Sequence, residues 1–196
     1  MTADPHLPLR DDVRSLGALL GDTLRRQEGE PLFDTVERVR ALAKRARQGE
    51  TGCFEELERL LGELPVEDAL PVARAFAHFL TLANIAEQHH RIRRGREYRR
   101  DVAAPPQRGS FEETFARLLR SGTTPATLYE QVCALRIELV LTAHPTEIVR
   151  RTLLQGHRRI ADLLGQRDRT DVTSYERHDI EQALLSEITI AWETDE

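Results

Sequence analysis

The stretch IELVLTAHPTEIVRR, residues 137–151, decides how the fold is interpreted. Its first part, residues 137–143, is short, aliphatic and rich in β-branched side chains, which predicts a strand. Pro145 disfavours a helical backbone at His144, so we expect the strand to end there and a helix to begin just beyond the proline. Periodicity alone leaves such a run open to a second interpretation, a buried helix segment.

Upstream of this stretch the pattern is helical. Apolar side chains recur three or four residues apart at Val36, Val39, Leu42, Ala43 and Ala46. Asp34 and Glu37 have the spacing of a capping box for that helix, and Gly49 predicts its end. A shorter helix is predicted through residues 54–61, and a long one from about Pro71 to Arg94. Residues 101–109 contain Pro-Pro and Gly, which predict a loop.

Downstream of the loop the helical pattern returns. Ser110 with Glu113, and Thr173 with Glu176, have capping-box spacing, and Gly122 predicts a helix end. Thr124-Pro125 predicts a further helix start. Two apolar stripes are expected to be buried, one at Val149, Leu153, Ile160 and Leu164, the other at Ile180, Leu184, Ile188 and Trp192.

Composition excludes several classes of protein. The chain has 196 residues, with 28 basic and 33 acidic side chains and a formal net charge of −5. This charge gives no case for binding nucleic acid or an anionic membrane. We see neither a signal sequence nor a segment long enough to span a bilayer. Cys53 and Cys133 are expected to be buried free thiols in a reducing, cytoplasmic compartment.

A single strand among helices leaves its backbone N–H and C=O groups unpaired, which is costly if the strand is buried. The chain offers no second strand, and its last helical pattern is still running at Glu196. We therefore expect a mainly α-helical part of a longer polypeptide.

The segment VLTAHPTEIVRR, residues 140–151, resembles the active-site signature of phosphoenolpyruvate carboxylases. The stretches LTLANIAEQHHRIRR (80–94), ELVLTAHPTEIVRRTLLQGHRRIADLL (138–164) and the segment 175–196 resemble the same family in order and spacing. The resemblance implies that residues 1–196 form the N-terminal portion of that enzyme's α/β barrel domain. Residues 1–100 would be a helical region, 101–109 a loop, and 110–196 would hold further helices, the first barrel strand near 137–143 and the active-site histidine.

The resemblance also implies a reaction. In this family of lyases, bicarbonate attacks the phosphate of phosphoenolpyruvate, giving carboxyphosphate and the enolate of pyruvate. Carboxyphosphate then yields carbon dioxide, which the enolate captures to form oxaloacetate for the citric acid cycle. His144 matches the histidine that takes the carboxyl proton and holds the leaving phosphate. Mg²⁺ or Mn²⁺ would be required, with ligands outside this chain, and the complete enzyme would be a homotetramer.

Each candidate residue also has a structural interpretation. His144 alone would be read as a hydrogen-bonded histidine at a strand–helix junction. Arg150 and Arg151 match an arginine pair that contributes to a sugar-phosphate effector site in some family members, and guanidinium groups suit phosphate; they would serve equally well as a solvated basic face. His89 and His90 are adjacent, make a poor metal pair, and are interpreted as part of a basic helix end.

Two other functions remain open at this stage. A histidine phosphotransfer module would expose His144 on a helix, although Pro145 argues against a position within a helix. A helical adaptor without catalysis would tolerate replacement of His144. A complete carboxylase site is not expected within this chain, since it has no glycine- and arginine-rich phosphate loop and no matching acidic pair.

Overall fold

The computed structural model describes residues 4–100, 105–141 and 149–194. Within these ranges the chain is helical and contains no strand. The helices are α1 (Leu7–Gln27), α2 (Glu30–Arg47), α3 (Cys53–Glu63), α4 (Val66–Arg100), α5 (Phe111–Arg120), α6 (Pro125–Ala134), α7 (Arg151–Arg167) and α8 (Ser174–Glu193). The expected mainly α class is confirmed.

The chain divides into two compact units. The first comprises residues 1–91 and 149–196, and the second comprises residues 92–148. Helix α4 begins in the first unit, and its residues 92–100 belong to the second. The sequence-based division into residues 1–100 and 110–196, separated by the loop 101–109, has different boundaries from these units, and it stays a prediction.

The core of the first unit is built by one face each of α1, α2, α4, α7 and α8. Its most deeply buried side chains include Leu16, Leu24, Ala75, Ala86, Ile160, Leu164, Leu184, Ile188 and Trp192. Both predicted stripes of α7 and α8 are buried, apart from the exposed Val149. Helix α3 packs on α2, where Cys53 is buried. These apolar faces are what hold α7 in place.

Several predicted helix ends are confirmed. Thr173 and Glu176 form the complete capping box at α8, and the Thr124 side chain caps α6. Ser110 caps α5 through the Glu113 N–H, but the Glu113 carboxylate accepts from Gly109 N at 3.4 Å instead of completing the box. Gly109 and Gly122 have φ of 81° and 99°, which favours glycine at these turns.

Other predicted boundaries were wrong. Helix α2 begins at Glu30 rather than near Asp34, because Gly29 turns the chain with φ of 90° and Pro31 lies in the first turn. Helix α4 runs from Val66 to Arg100 and contains Pro71, whose missing N–H removes one bond near the helix start. Helix α1 was not predicted, and Cys133 is exposed rather than buried.

The predicted strand at 137–143 is also corrected. Residues 137–141 belong to no strand, and their side chains are exposed, Leu141 at 95%; residues 142–143 lie outside the described ranges. The physical reason is that a strand needs a partner for its backbone groups, and the described residues supply none. The second unit is generally open, because no residue of α5 or α6 is buried.

Helix α4 contains an apolar window that passes a test of length and composition for a membrane span. Core helices of soluble proteins pass the same test, and α4 buries Val72, Ala75, Leu82 and Ile85 in the first unit. The absence of a membrane-spanning segment therefore stays a prediction.

The capping box of α8 makes stability depend on pH. The Glu176 carboxylate accepts hydrogen bonds from the Thr173 backbone N–H and hydroxyl, both at 2.8 Å. These bonds, the one from the backbone N–H most of all, lower the pKa of Glu176 below 4.5. A lowered pKa gives stability above 4.5 that is lost as pH falls through the folded-state value. We expect the melting temperature of Glu176→Gln to lie below wild type at pH 7 and to converge with it in acid. A difference between the two proteins that does not change with pH would contradict this.

Candidate active-site segment

The predicted catalytic residue His144 lies outside the described residues, as do Thr142, Thr146 and Glu147. Immediately after that segment, the arginine pair is described. Arg150 is the N-cap of α7 and Arg151 is its first residue, and both side chains are exposed. A helix after the motif is therefore present, but it begins at Arg151 rather than just beyond Pro145, since Val149 and Arg150 lie outside it.

The start of α7 differs from the capped helices. The Arg150 carbonyl accepts from Leu154 N at 3.2 Å, but its side chain makes no capping hydrogen bond, and the first turn contains no acidic residue. Helix N-termini carry unsatisfied N–H groups and a positive partial charge. Two guanidinium groups at such an end add like charge, so an anion is the natural complement of this position.

A crevice of about 260 Å³ lies between α7 and α8, beside this first turn. It is lined from α7 by Thr152, Leu153, Gln155, Gly156 and Arg159, and from α8 by Glu187, Ile190, Ala191 and, just after the helix, Thr194. Arg159 donates to both Glu187 oxygens, at 2.6 and 2.8 Å. This hydrogen bonding to the Glu187 carboxylate holds the pKa of Arg159 above its usual range. This fork–fork pair joins the two helices.

The far end of α7 is fixed by polar contacts to α1 and α4. Arg167 forms an ion pair with the buried Asp12 and donates to Ser15 Oγ at 3.2 Å. At the C-cap, Asp168 Oδ2 lies 2.8 Å from His89 Nε2. The helix that begins with the arginine pair is therefore held at its opposite end, which orients its first turn.

The interpretation of His89 and His90 as a basic helix end was wrong. Both are buried, and α4 continues to Arg100. The apolar spacing Leu82, Ile85, Ala86, His89 is the signal that identifies a buried face. No sequence signal connects Arg159 with Glu187, which come together only when α7 packs on α8.

Comparison with known proteins decides the family. The family model described as phosphoenolpyruvate carboxylase matches residues 9–196, nearly the whole chain. The chain belongs to the phosphoenolpyruvate carboxylase family. A phosphoenolpyruvate carboxylase of Acinetobacter baumannii is 46% identical over 191 residues, covering 96% of this chain and 21% of that protein.

Other phosphoenolpyruvate carboxylases give the same picture. One from Pseudomonas aeruginosa is 46% identical over 188 residues, covering 96% of this chain and 21% of its own length. Phosphoenolpyruvate carboxylase 2 of Chlamydomonas reinhardtii is 43% identical over 201 residues, covering 98% of the chain and 16% of that protein. The chain thus spans about a fifth of these bacterial relatives' length and less of the algal one.

The divalent metal implied by the phosphoenolpyruvate carboxylase family has no ligand set in the described part of the chain. No group of three or more His, Cys, Asp or Glu side chains lies together there. The described residues therefore do not fit such an ion.

Proposed function

We propose that this chain is the N-terminal part of a phosphoenolpyruvate carboxylase, which forms oxaloacetate and phosphate from phosphoenolpyruvate and bicarbonate. The observation that carries the proposal is the family match over residues 9–196, which includes the motif around His144. It favours the carboxylase over a histidine phosphotransfer module or a helical adaptor. The complete protein would be a cytoplasmic homotetramer that replenishes the citric acid cycle, with Mg²⁺ or Mn²⁺ bound outside this chain.

In this proposal His144 acts on the carboxyphosphate formed when a bicarbonate oxygen attacks phosphorus. An imidazole has an ordinary pKa near neutrality, so it can accept the carboxyl proton as the bond between carbon and the bridging oxygen breaks. The protonated ring then donates a hydrogen bond to the departing phosphate. Carbon dioxide is released beside the enolate, whose carbon attacks it to form oxaloacetate.

The exposed segment Ile137–Leu141 supports the barrel part of the proposal. Its aliphatic side chains have no cover, and its backbone has no strand partner in the described residues. Pairing with strands of the complete domain would satisfy both, and His144 would then stand at the C-terminal end of a barrel strand, where such folds gather their catalytic groups.

We further propose that Arg150 and Arg151 bind the phosphate of an anionic effector. Support comes from the uncapped start of α7, where N–H groups and two guanidinium groups share one end of a helix. Replacing both by alanine should weaken binding of a hexose phosphate by about tenfold or more, since two charge-assisted hydrogen bonds are lost. Calorimetric titration measures this, with the unphosphorylated hexose as blank. Arg158→Ala with Arg177→Ala, both exposed, is the matched control, and equal affinity in both double variants would reject the site.

The chain's place in a larger enzyme has its own test. Residues 1–196 alone should form no oxaloacetate from phosphoenolpyruvate and bicarbonate. A chimera with residues 9–196 in place of the matching segment of the Acinetobacter baumannii relative should form it. Turnover by the isolated chain would overturn the proposal that the other catalytic residues lie outside it. A folded but inactive chimera would overturn the assigned function.

A further inference from the structure

A groove of about 920 Å³ runs over α1 between α2 and α4, within the first unit. Its floor is the small-residue face of α1. A Cβ on Gly17 would lie 3.3 Å from Phe79 Cε2, and one on Gly21 would lie 3.1 Å from Phe33 Cε2. The missing side chains therefore let both rings lie against α1. The remaining apolar lining includes Val36, Phe76 and Leu80, of which Leu80 is 61% exposed.

The charged lining of this groove is mainly basic. It comprises Arg10, Arg14, Arg25, Arg40, Lys44 and Arg47, against Asp22 and Glu37. Both carboxylates are already engaged, Asp22 with Arg25 at 3.2 Å and Glu37 with Arg40 at 2.5 Å. The two acidic side chains therefore neutralise only part of the basic lining, and the groove keeps an excess of positive charge.

That excess lies at one end. Arg10 and Arg14 of α1 pair only with exposed acids next to the groove, Asp4 and Asp11. Across the groove, Lys44 and Arg47 of α2 are exposed and enter no ion pair among the described residues. Placed beside an apolar trough, these cations require a partner that is apolar on one face and acidic at its edge.

We propose that this groove is a docking site for an acidic amphipathic helix. The stretch of α2 from Phe33 to Arg47 is roughly 21 Å long, which matches a helix of about 14 residues. The apolar face of that helix would lie against Phe33, Phe79 and Leu80, and its carboxylates would face Lys44 and Arg47. This site is separate from the arginine pair of α7 and does not depend on the proposed carboxylase activity.

Fluorescence anisotropy with a labelled synthetic helix tests the proposal on the 196-residue chain. The probe carries leucines on one face and glutamates elsewhere, and its control replaces each glutamate by lysine. We expect the acidic helix to bind, with affinity falling as salt rises, and the basic helix not to bind. Binding of both helices alike, or of neither, overturns the proposal.

Variants locate the binding. The double variant Lys44→Glu with Arg47→Glu should weaken binding of the acidic helix by roughly tenfold, since two exposed ion pairs become repulsions. Arg26→Glu with Arg158→Glu, both exposed and outside the groove, should leave it unchanged. Leu80→Gln should also weaken binding by roughly tenfold through lost apolar contact, whereas Leu154→Gln, exposed on α7, should not.

Two outcomes would replace the proposed occupant. If Lys44 and Arg47 only complement the dipole of α2, their reversal lowers the melting temperature and leaves peptide binding unaltered. If the groove binds a second copy of the chain, sedimentation shows a dimer that Leu80→Gln dissociates and that the acidic helix does not displace. Either result overturns the acidic-helix assignment.

Discussion

Replacing His144 with asparagine in the chimera should lower bicarbonate-dependent oxaloacetate formation by about 10²-fold or more. Asparagine has similar reach and can still hydrogen-bond to phosphate, but it cannot take up the carboxyl proton. The loss should therefore appear mainly in kcat, with a smaller change in KM for phosphoenolpyruvate. A coupled assay of oxaloacetate reduction measures both constants.

The matched control is His178→Asn, which changes an exposed histidine on α8 and should retain the activity of the unmodified chimera. The pH profile separates a chemical role from a structural one. The rate of the unmodified chimera should fall on the acid side as the imidazole protonates, and the asparagine variant should lose that dependence. Full activity in His144→Asn would remove His144 from the mechanism.

Replacing Trp192 with alanine should cost about 3–5 kcal/mol of unfolding free energy. The side chain is 2% exposed in the core of the first unit, and its indole N–H donates to Glu28 at 3.0 Å. The Arg74 guanidinium lies 4.5 Å from the ring centroid, and Arg74 also donates to the Trp192 carbonyl at the end of α8. The substitution thus removes core volume, a hydrogen bond and a cation–π contact together.

Urea unfolding followed by far-UV circular dichroism measures this loss, because Trp192 is the only tryptophan and its removal also removes the fluorescence signal. Tyr175→Ala, at a position 74% exposed on the same helix, should change the unfolding free energy by no more than about 0.5 kcal/mol. Equal effects of the two substitutions would contradict the placement of Trp192 in the core.

The helices that were predictable share local signals. Sequence spacing within a few helical turns predicts both the α8 stripe of Ile180, Leu184 and Ile188 and its Thr173 cap. Helix α1 was missed although its Leu16, Leu20 and Leu24 are buried at helical spacing. The start of α4 was misplaced for a different reason. Pro71 was taken to lie in the first turn, whereas the helix begins at Val66 and tolerates the loss of the one hydrogen bond that Pro71 removes.

Features that depend on distant parts of the chain were not predictable. Cys133 has the spacing of a core residue, but it is exposed because nothing in the described second unit covers α6. The same holds for Leu139 and Leu141, whose pattern predicts a strand that the described residues cannot pair. A sequence pattern records that a side chain is suited to burial, and the partner that buries it has to be supplied by other residues.

The candidate site divides in the same way. The motif around His144 and the Arg150–Arg151 pair were found from residue types and order alone. The contacts that hold α7, Arg159 with Glu187 and Asp168 with His89, link residues 28 and 79 positions apart. They arise only from helix packing, so no local pattern could have indicated them.

The most direct test of the account follows oxygen atoms through the chimera. With oxygen-18-labelled bicarbonate, attack on phosphorus leaves a bicarbonate oxygen bridging carbon and phosphorus, and cleavage on its carbon side leaves it in phosphate. We predict inorganic phosphate labelled in one of its oxygens and formed in equal amount with oxaloacetate, and we predict that His144→Asn loses oxaloacetate formation. Unlabelled phosphate, whose new oxygen would have come from water, released without oxaloacetate, would contradict the account.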